Sequence, residues 1–98
     1  MIVVYTTFPS LVIAKKVVRI LLKEKLVKCV NILPSHSLYI WKGKLQEEKE
    51  WVAIIKTQDS LYKKVEARVL SLHPYELPVV FSLKPGKVSK KFEEWLGQ

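Results

Sequence analysis

One cysteine, three glycines, two histidines and nine acidic residues are all that this 98-residue chain offers of the residue types behind most small-protein chemistry. Each scarcity excludes something. The lone Cys29 rules out an intrachain disulfide and fits a reducing compartment. With only His36 and His73 beside it, and no H-x-x-H or C-x-x-C, a structural zinc site is not expected. Gly43, Gly86 and Gly97 stand alone, so no glycine-rich loop cradles a phosphate. There is no G-x-S-x-G elbow and no Cys–His pair of recognisable spacing, and the carboxylates stand mostly beside lysines. The chain is read as not an enzyme. Uncharged runs fall far short of the roughly 20 residues a membrane helix needs. The opening stretch Met1–Pro9 lacks the basic and apolar regions of a signal peptide. A soluble, cytoplasmic protein without a membrane partner is therefore expected.

What is plentiful is apolar and basic. Hydrophobic residues make up 49%, with three Trp and four Tyr, which is much apolar surface for a chain that folds as one domain over 1–98. A domain of this size buries roughly 65% of its unfolded surface, so part of the apolar excess is available for burial between subunits. Lys and Arg outnumber Asp and Glu by 17 to 9, giving a net charge of +8. The lysines are spread along the chain and interleaved with Glu. That pattern favours a solvated mixed-charge surface over a dedicated anion-binding face.

Periodicity supplies the elements. Residues 2–8, IVVYTTF, are β-branched and aromatic without charge, as in a central strand. Pro9 ends it, Ser10 can cap a helix, and 11–26 repeats apolar pairs at Ile13/Ala14, Val17/Val18 and Leu21/Leu22. From Val27 two long β-rich arms run to Thr57, folded back through Lys42-Gly43-Lys44, with a bulge or break expected at Pro34. Asp59 or Ser60 caps a second helix that Pro74 stops, and a short strand occupies 79–83. A final short helix over 88–97 presents Phe92, Trp95 and Leu96. The fold class is thus α+β: a ferredoxin-like β-α-β-β-α-β sandwich with an extended central hairpin and a C-terminal helix. Central strands of about 12 residues exceed the usual five or six. Their overhanging edges invite another chain to pair, so a closed oligomer is expected.

Several motifs share this frame. They are Cys29-Val30-Asn31-Ile32 then Pro34; Ser37-x-Tyr39-x-Trp41-x-Gly43-Lys44; Glu50 before an apolar run into Lys56-Thr57; His73-Pro74-Tyr75-Glu76-x-Pro78; and Phe92-x-x-Trp95-Leu96. In this order and at these separations the chain resembles the CutA family of divalent-cation tolerance proteins over nearly its whole length. The resemblance implies a homotrimer of ferredoxin-like subunits with the architecture of the PII signalling proteins. It also implies a role in tolerance to copper and other divalent metal ions, and no enzymatic reaction. Copper or another divalent metal is then the cofactor to look for, with two candidate ligands: His73, the one proposed family ligand position that carries over, and Cys29, whose soft thiol suits copper or zinc on its own chemistry. The carry-over is incomplete. Where bacterial members have a Cys and a His pair, this chain has Thr6, Leu72 and His73. Phe92 replaces a tyrosine, and the loop at Pro34–Ser37 is about one residue short.

The bland readings compete throughout. Cys29 among apolar residues packs as a small hydrophobe, and His73 at a helix end serves as a cap or as a member of a hydrogen-bond network. Tyr39, Trp41, Glu50, Lys56, Tyr75 and Glu76 form a second constellation. Polar groups on apolar strands need partners, so these six read as an inter-subunit network or as a cleft for a small anion or metal. Two alternatives to metal tolerance stand beside it. One is a non-catalytic structural or signalling trimer acting through a protein or small-anion partner. The other, an RNA-binding module of the same strand order, is disfavoured: the third strand KEWVAIIKT carries one aromatic where base stacking requires several. No nucleic acid partner is expected.

Overall fold

The computed structural model describes residues 1–98. Strand β1 (Ile2–Phe8) leads into helix α1 (Leu11–Lys23), the long hairpin β2 (Cys29–Trp41) and β3 (Lys44–Thr57), a 3-10 turn at Asp59–Leu61, helix α2 (Tyr62–Leu72), strand β4 (Val80–Leu83) and helix α3 (Lys90–Leu96). The four strands form one antiparallel sheet in the order β2-β3-β1-β4, the ferredoxin-like arrangement expected.

Local chemistry explains the boundaries. The Ser10 hydroxyl accepts from the Ile13 backbone N–H at 3.1 Å and starts α1. The helix stops at Lys23, three residues before the expected end at 26. Lys25 adopts φ 60°, its N–H bonds the Leu22 carbonyl, and the Leu26 N–H reaches back to Leu21. This is a Schellman closure, built on a lysine where glycine would be at ease. Two residues, Lys42 and Gly43, turn the hairpin with φ 51° and 78°; positive φ at both is the primed turn that matches strand twist.

Pro34 breaks nothing. Pairing runs without interruption from Cys29 opposite Lys56 to Trp41 opposite Lys44, with Pro34 opposite Trp51. The expected bulge is absent because β2 is an edge strand, where a missing N–H can face away from the ladder.

Alternation assigns the two sheet faces. Val4, Phe8, Ala53 and Ile55 lie on the face that packs against Ala14, Val17 and Leu21 of α1 and Val65 and Val69 of α2, forming the core. The opposite face carries Tyr5, Cys29, Leu33, Tyr39, Trp41, Glu48, Glu50, Ile54, Lys56, Phe81 and Leu83, and no helix covers it. β1 pairs with β3 only from Trp51 onward, so the outer half of the hairpin projects beyond the sheet and stretches the subunit to 45 Å.

Candidate functional site

On the helix-free face, where the projecting hairpin meets the segment after α2, lies a cleft of about 770 Å³. β2 contributes Tyr39 and Trp41, β3 contributes Gln46, Glu48 and Glu50, β1 contributes Tyr5 and Thr7, and the chain beyond α2 brings Tyr75, Glu76 and Leu77. The two-residue alternation aims Glu50, Glu48 and Gln46 to one side of β3, and the tight Lys42-Gly43 turn brings Tyr39 opposite Gln46 on the same side.

Glu50 is the floor. It is 8% exposed and accepts from the Thr7 hydroxyl at 3.1 Å and from the Tyr75 hydroxyl at 2.7 Å, both at Oε2. Burial first, and then this bond to a carboxylate, push the Tyr75 phenol far above its ordinary pKa. It stays protonated and donates. Nearer the rim the Tyr39 hydroxyl donates to Glu48 Oε2 at 3.0 Å, and that bond raises its pKa too. The Lys42 ammonium sits over the Trp41 ring, 5.7 Å from its centroid.

His73 stands behind this floor. Its Nε2 lies 2.6 Å from the Thr7 carbonyl oxygen, which can only accept, so Nε2 carries the proton. Its Nδ1 accepts from the Tyr75 backbone N–H at 3.2 Å. The ring stacks on Phe8 at 4.8 Å. Burial lowers its pKa, outweighing the Thr7 bond and the Glu50 charge, and the imidazole is neutral with both nitrogens engaged. It braces Tyr75 against β1 and leaves no lone pair for a metal. Of the two bland expectations the side chain follows the network rather than the cap: it bonds the Thr7 carbonyl of β1 and the Tyr75 N–H, not the free carbonyls of its own helix.

Cys29 is elsewhere. It begins β2 opposite Lys56, whose ammonium lies 3.8 Å from the thiol sulfur, while His73 contacts the Thr7–Phe8 end of β1 beside Val52 and Trp51. A fixed ammonium beside the sulfur repels an incoming cation. Thr6, at the position where the family's proposed ligand cysteine falls, is fully buried on the helix side, its hydroxyl without a partner. No three His, Cys, Asp or Glu side chains come together in a way that could hold a metal ion. The residues present do not fit a resident copper or zinc at Cys29 and His73.

Of the second constellation, the fold gathers Tyr39, Trp41, Glu50, Tyr75 and Glu76 around the cleft, and leaves Lys56 beside Cys29. Glu48, Thr7 and Tyr5 join them without being singled out by the sequence. A signal for Glu48 exists, since it sits two residues before Glu50 on the same strand face. None exists for Thr7, because its place under Glu50 depends on the β1–β3 register.

Comparison with known proteins places these features. Residues 2–98 match the family model described as CutA1 divalent ion tolerance protein. The divalent-cation tolerance protein CutA of Pyrococcus horikoshii is 42% identical over 96 residues, 98% of this chain and 94% of the relative. That of Thermotoga maritima is 41% identical, over 98% and 95%. These relatives are named as tolerance proteins, not as enzymes. Among solved structures, CutA1 from Pyrococcus horikoshii superposes with a TM-score of 0.94 at 41% identity, covering 98% of this chain and 94% of that one. The periplasmic divalent cation tolerance protein CutA from Archaeoglobus fulgidus superposes with a TM-score of 0.95 at 33% identity, covering 99% and 96%. That last structure corrects the expected cytoplasmic location. A relative this similar is periplasmic, and a fold with a single thiol and no disulfide is compatible with either side of a membrane. No helix here is long and apolar enough to cross one.

Proposed function

This chain belongs to the CutA1 divalent ion tolerance family, and from that premise we propose that it works as a non-catalytic homotrimer whose clefts receive positively charged ligands. The observation that carries the reading is a charge inversion. On a chain of net charge +8, the cleft is lined by Glu48, Glu50 and Glu76, with the Lys42 ammonium at its edge, over the Trp41 ring. A site of that kind concentrates cations and turns away phosphates and other anions, so a small-anion partner is disfavoured. The trimer rests on the uncovered sheet face and the projecting hairpin, whose apolar side chains Leu33, Phe81 and Leu83 are 41%, 41% and 57% exposed in the single subunit. One domain over residues 1–98 supplies all of this.

Hydrated Mg²⁺ is the probe for the charge of the cleft, because its attraction requires no inner cage of ligands. Calorimetric titration at low ionic strength is expected to show weak, salt-sensitive association that Glu50→Gln diminishes and Cys29→Ser leaves unchanged. Binding abolished by Cys29→Ser and indifferent to Glu50→Gln would overturn the reading and restore the thiol as a ligand. Zn²⁺ and Cu²⁺ added to Cys29→Ser and His73→Gln variants are expected to behave as with the unmodified chain.

A further inference from the structure

We propose that the outward face of the helix layer docks the protein onto an anionic lipid surface. The first support is a segregation of charge that the order of residues along the chain hides. Over 11–25 and 62–72, the spans of α1, its closing turn and α2, eight Lys and Arg stand against two Glu, so this layer holds six of the eight net positive charges. Both acids are already engaged: Arg68 grips Glu24 at 2.7 Å, and the Tyr62 hydroxyl donates to Glu66 at 2.8 Å. No ion pair reaches any other cation of the layer. On α1, Lys15, Lys16, Arg19 and Lys23 recur at three and four residues and are exposed, opposite the buried Ala14, Val17, Val18 and Leu21. On α2, Lys64 lies one turn before Arg68, and Arg68 holds the Glu24 that stands between Lys23 and Lys25, so the two stripes join. The arrangement also works against the helices themselves. Lys63 and Lys64 occupy the first turn of α2, with no acid there, where the helix dipole disfavours cations. Unpaired like charges gathered in this way are unfavourable for the isolated fold and favourable beside a negative surface.

The second support selects the partner. Val12, Leu22 and Leu70 stand out among these cations, 77%, 40% and 47% exposed. Val12 shares the stripe of Lys16 and Arg19, which follow it by four and seven residues, and Leu22 follows Arg19 by three. Lysines with apolar side chains between them suit the boundary of a bilayer. The aliphatic groups enter the headgroup layer, and the long lysine stems reach back to the phosphates. Each lysine near such a surface contributes about a fivefold factor in partitioning. A nucleic acid makes no use of exposed aliphatics and stacks its bases on aromatic rings, and neither helix presents an exposed aromatic. Neither is long and apolar enough to cross a bilayer, so the contact these helices make is one of lying on it. The orientation is consistent with the rest of the molecule. The helix layer faces away from the bare sheet face given to subunit contacts, and away from the acidic cleft on that face, which a negative surface repels.

The test incubates the native oligomer with vesicles of phosphatidylcholine alone and of phosphatidylcholine containing phosphatidylserine, and measures the bound protein by sedimentation. Binding to the serine-containing vesicles is expected to exceed that to the neutral ones by about tenfold or more, and to fall as salt is raised. Lys16→Glu with Arg19→Glu should weaken it by about twentyfold or more. Lys44→Glu with Lys49→Glu makes the same charge change on the projecting hairpin and should weaken it by less than about threefold. Val12→Ser should weaken vesicle binding by about threefold through loss of apolar contact, and leave binding of single-stranded poly(U) where it was. Circular dichroism and particle mass confirm that each variant keeps its fold and assembly. Equal losses in the two double variants would make net charge responsible instead of the helix layer, and overturn the proposal. Poly(U) bound more tightly than the serine-containing vesicles, with Val12→Ser indifferent on both, would give the face to a nucleic acid and overturn the lipid assignment. No binding to the serine-containing vesicles at low salt would overturn it outright.

Discussion

Two hydrogen bonds fix the protonation state of His73: Nε2 donates to Thr7 and Nδ1 accepts from Tyr75. Protonation at Nδ1 would break the second and charge a ring stacked on Phe8. Burial accordingly lowers its pKa from the ordinary 6.5. The folded state thus binds fewer protons than the unfolded state as pH falls through about 6.5, and stability rises with pH across that window. Thermal melts from pH 5 to pH 7 are expected to show a rising Tm, and His73→Gln should flatten the slope; an equal slope in the variant would remove His73 from the account. The motif His73-Pro74-Tyr75-Glu76 marks this residue in the sequence. Its role is not legible there, because the group that decides it, the Thr7 carbonyl, is 66 residues away. Cys29 shows the same limit, since its neighbour Lys56 is supplied by strand pairing.

At the scale of elements, the helices and strands arise from local patterns, and the surprises sit at their ends. α1 closes through Lys25 at φ 60°, a left-handed conformation that costs an L-residue with a Cβ about 1–2 kcal/mol. Lys25→Gly should stabilise the protein by about 0.5–1 kcal/mol after allowance for glycine's extra freedom in the unfolded chain. Guanidinium unfolding at constant slope measures the gain, and a loss would mean that Lys25 makes contacts worth more than its strain. The apolar spacing of α1 is readable, but its last turn is not: the sequence continues Glu24-Lys25-Leu26 with nothing to stop a helix. What stops it is the demand that Val27 enter the core and Thr57 donate to the Leu26 carbonyl at 2.7 Å. Pro34 is the converse case. Local chemistry announces a break, and an edge position makes the break unnecessary.

For the whole molecule the decisive feature is the asymmetry of the sheet, one face closed by helices and the other bare. Leu33 and Phe81 lie on the bare face, on β2 and β4. Replacing both with Glu should leave the core untouched and place charges where the proposed subunit contacts need apolar surface. Light scattering is expected to fall from about 34 kDa, three times the 11.4 kDa chain, to the single-chain value, with helix content retained. A mass unchanged by the double variant would move the assembly surface elsewhere. The sequence by itself determined the element order, the antiparallel ferredoxin-like sheet and the over-long hairpin, because periodicity and turn chemistry act within a few residues of each other; the family showed only as a resemblance carried by its ordered motifs. Only the tertiary structure decided that Cys29 and His73 stand apart, that Lys56 leaves the candidate site, and that Glu50 is buried and bonded by Thr7 and Tyr75. Those facts depend on register and burial, which strands 43 residues apart settle between them when they pair.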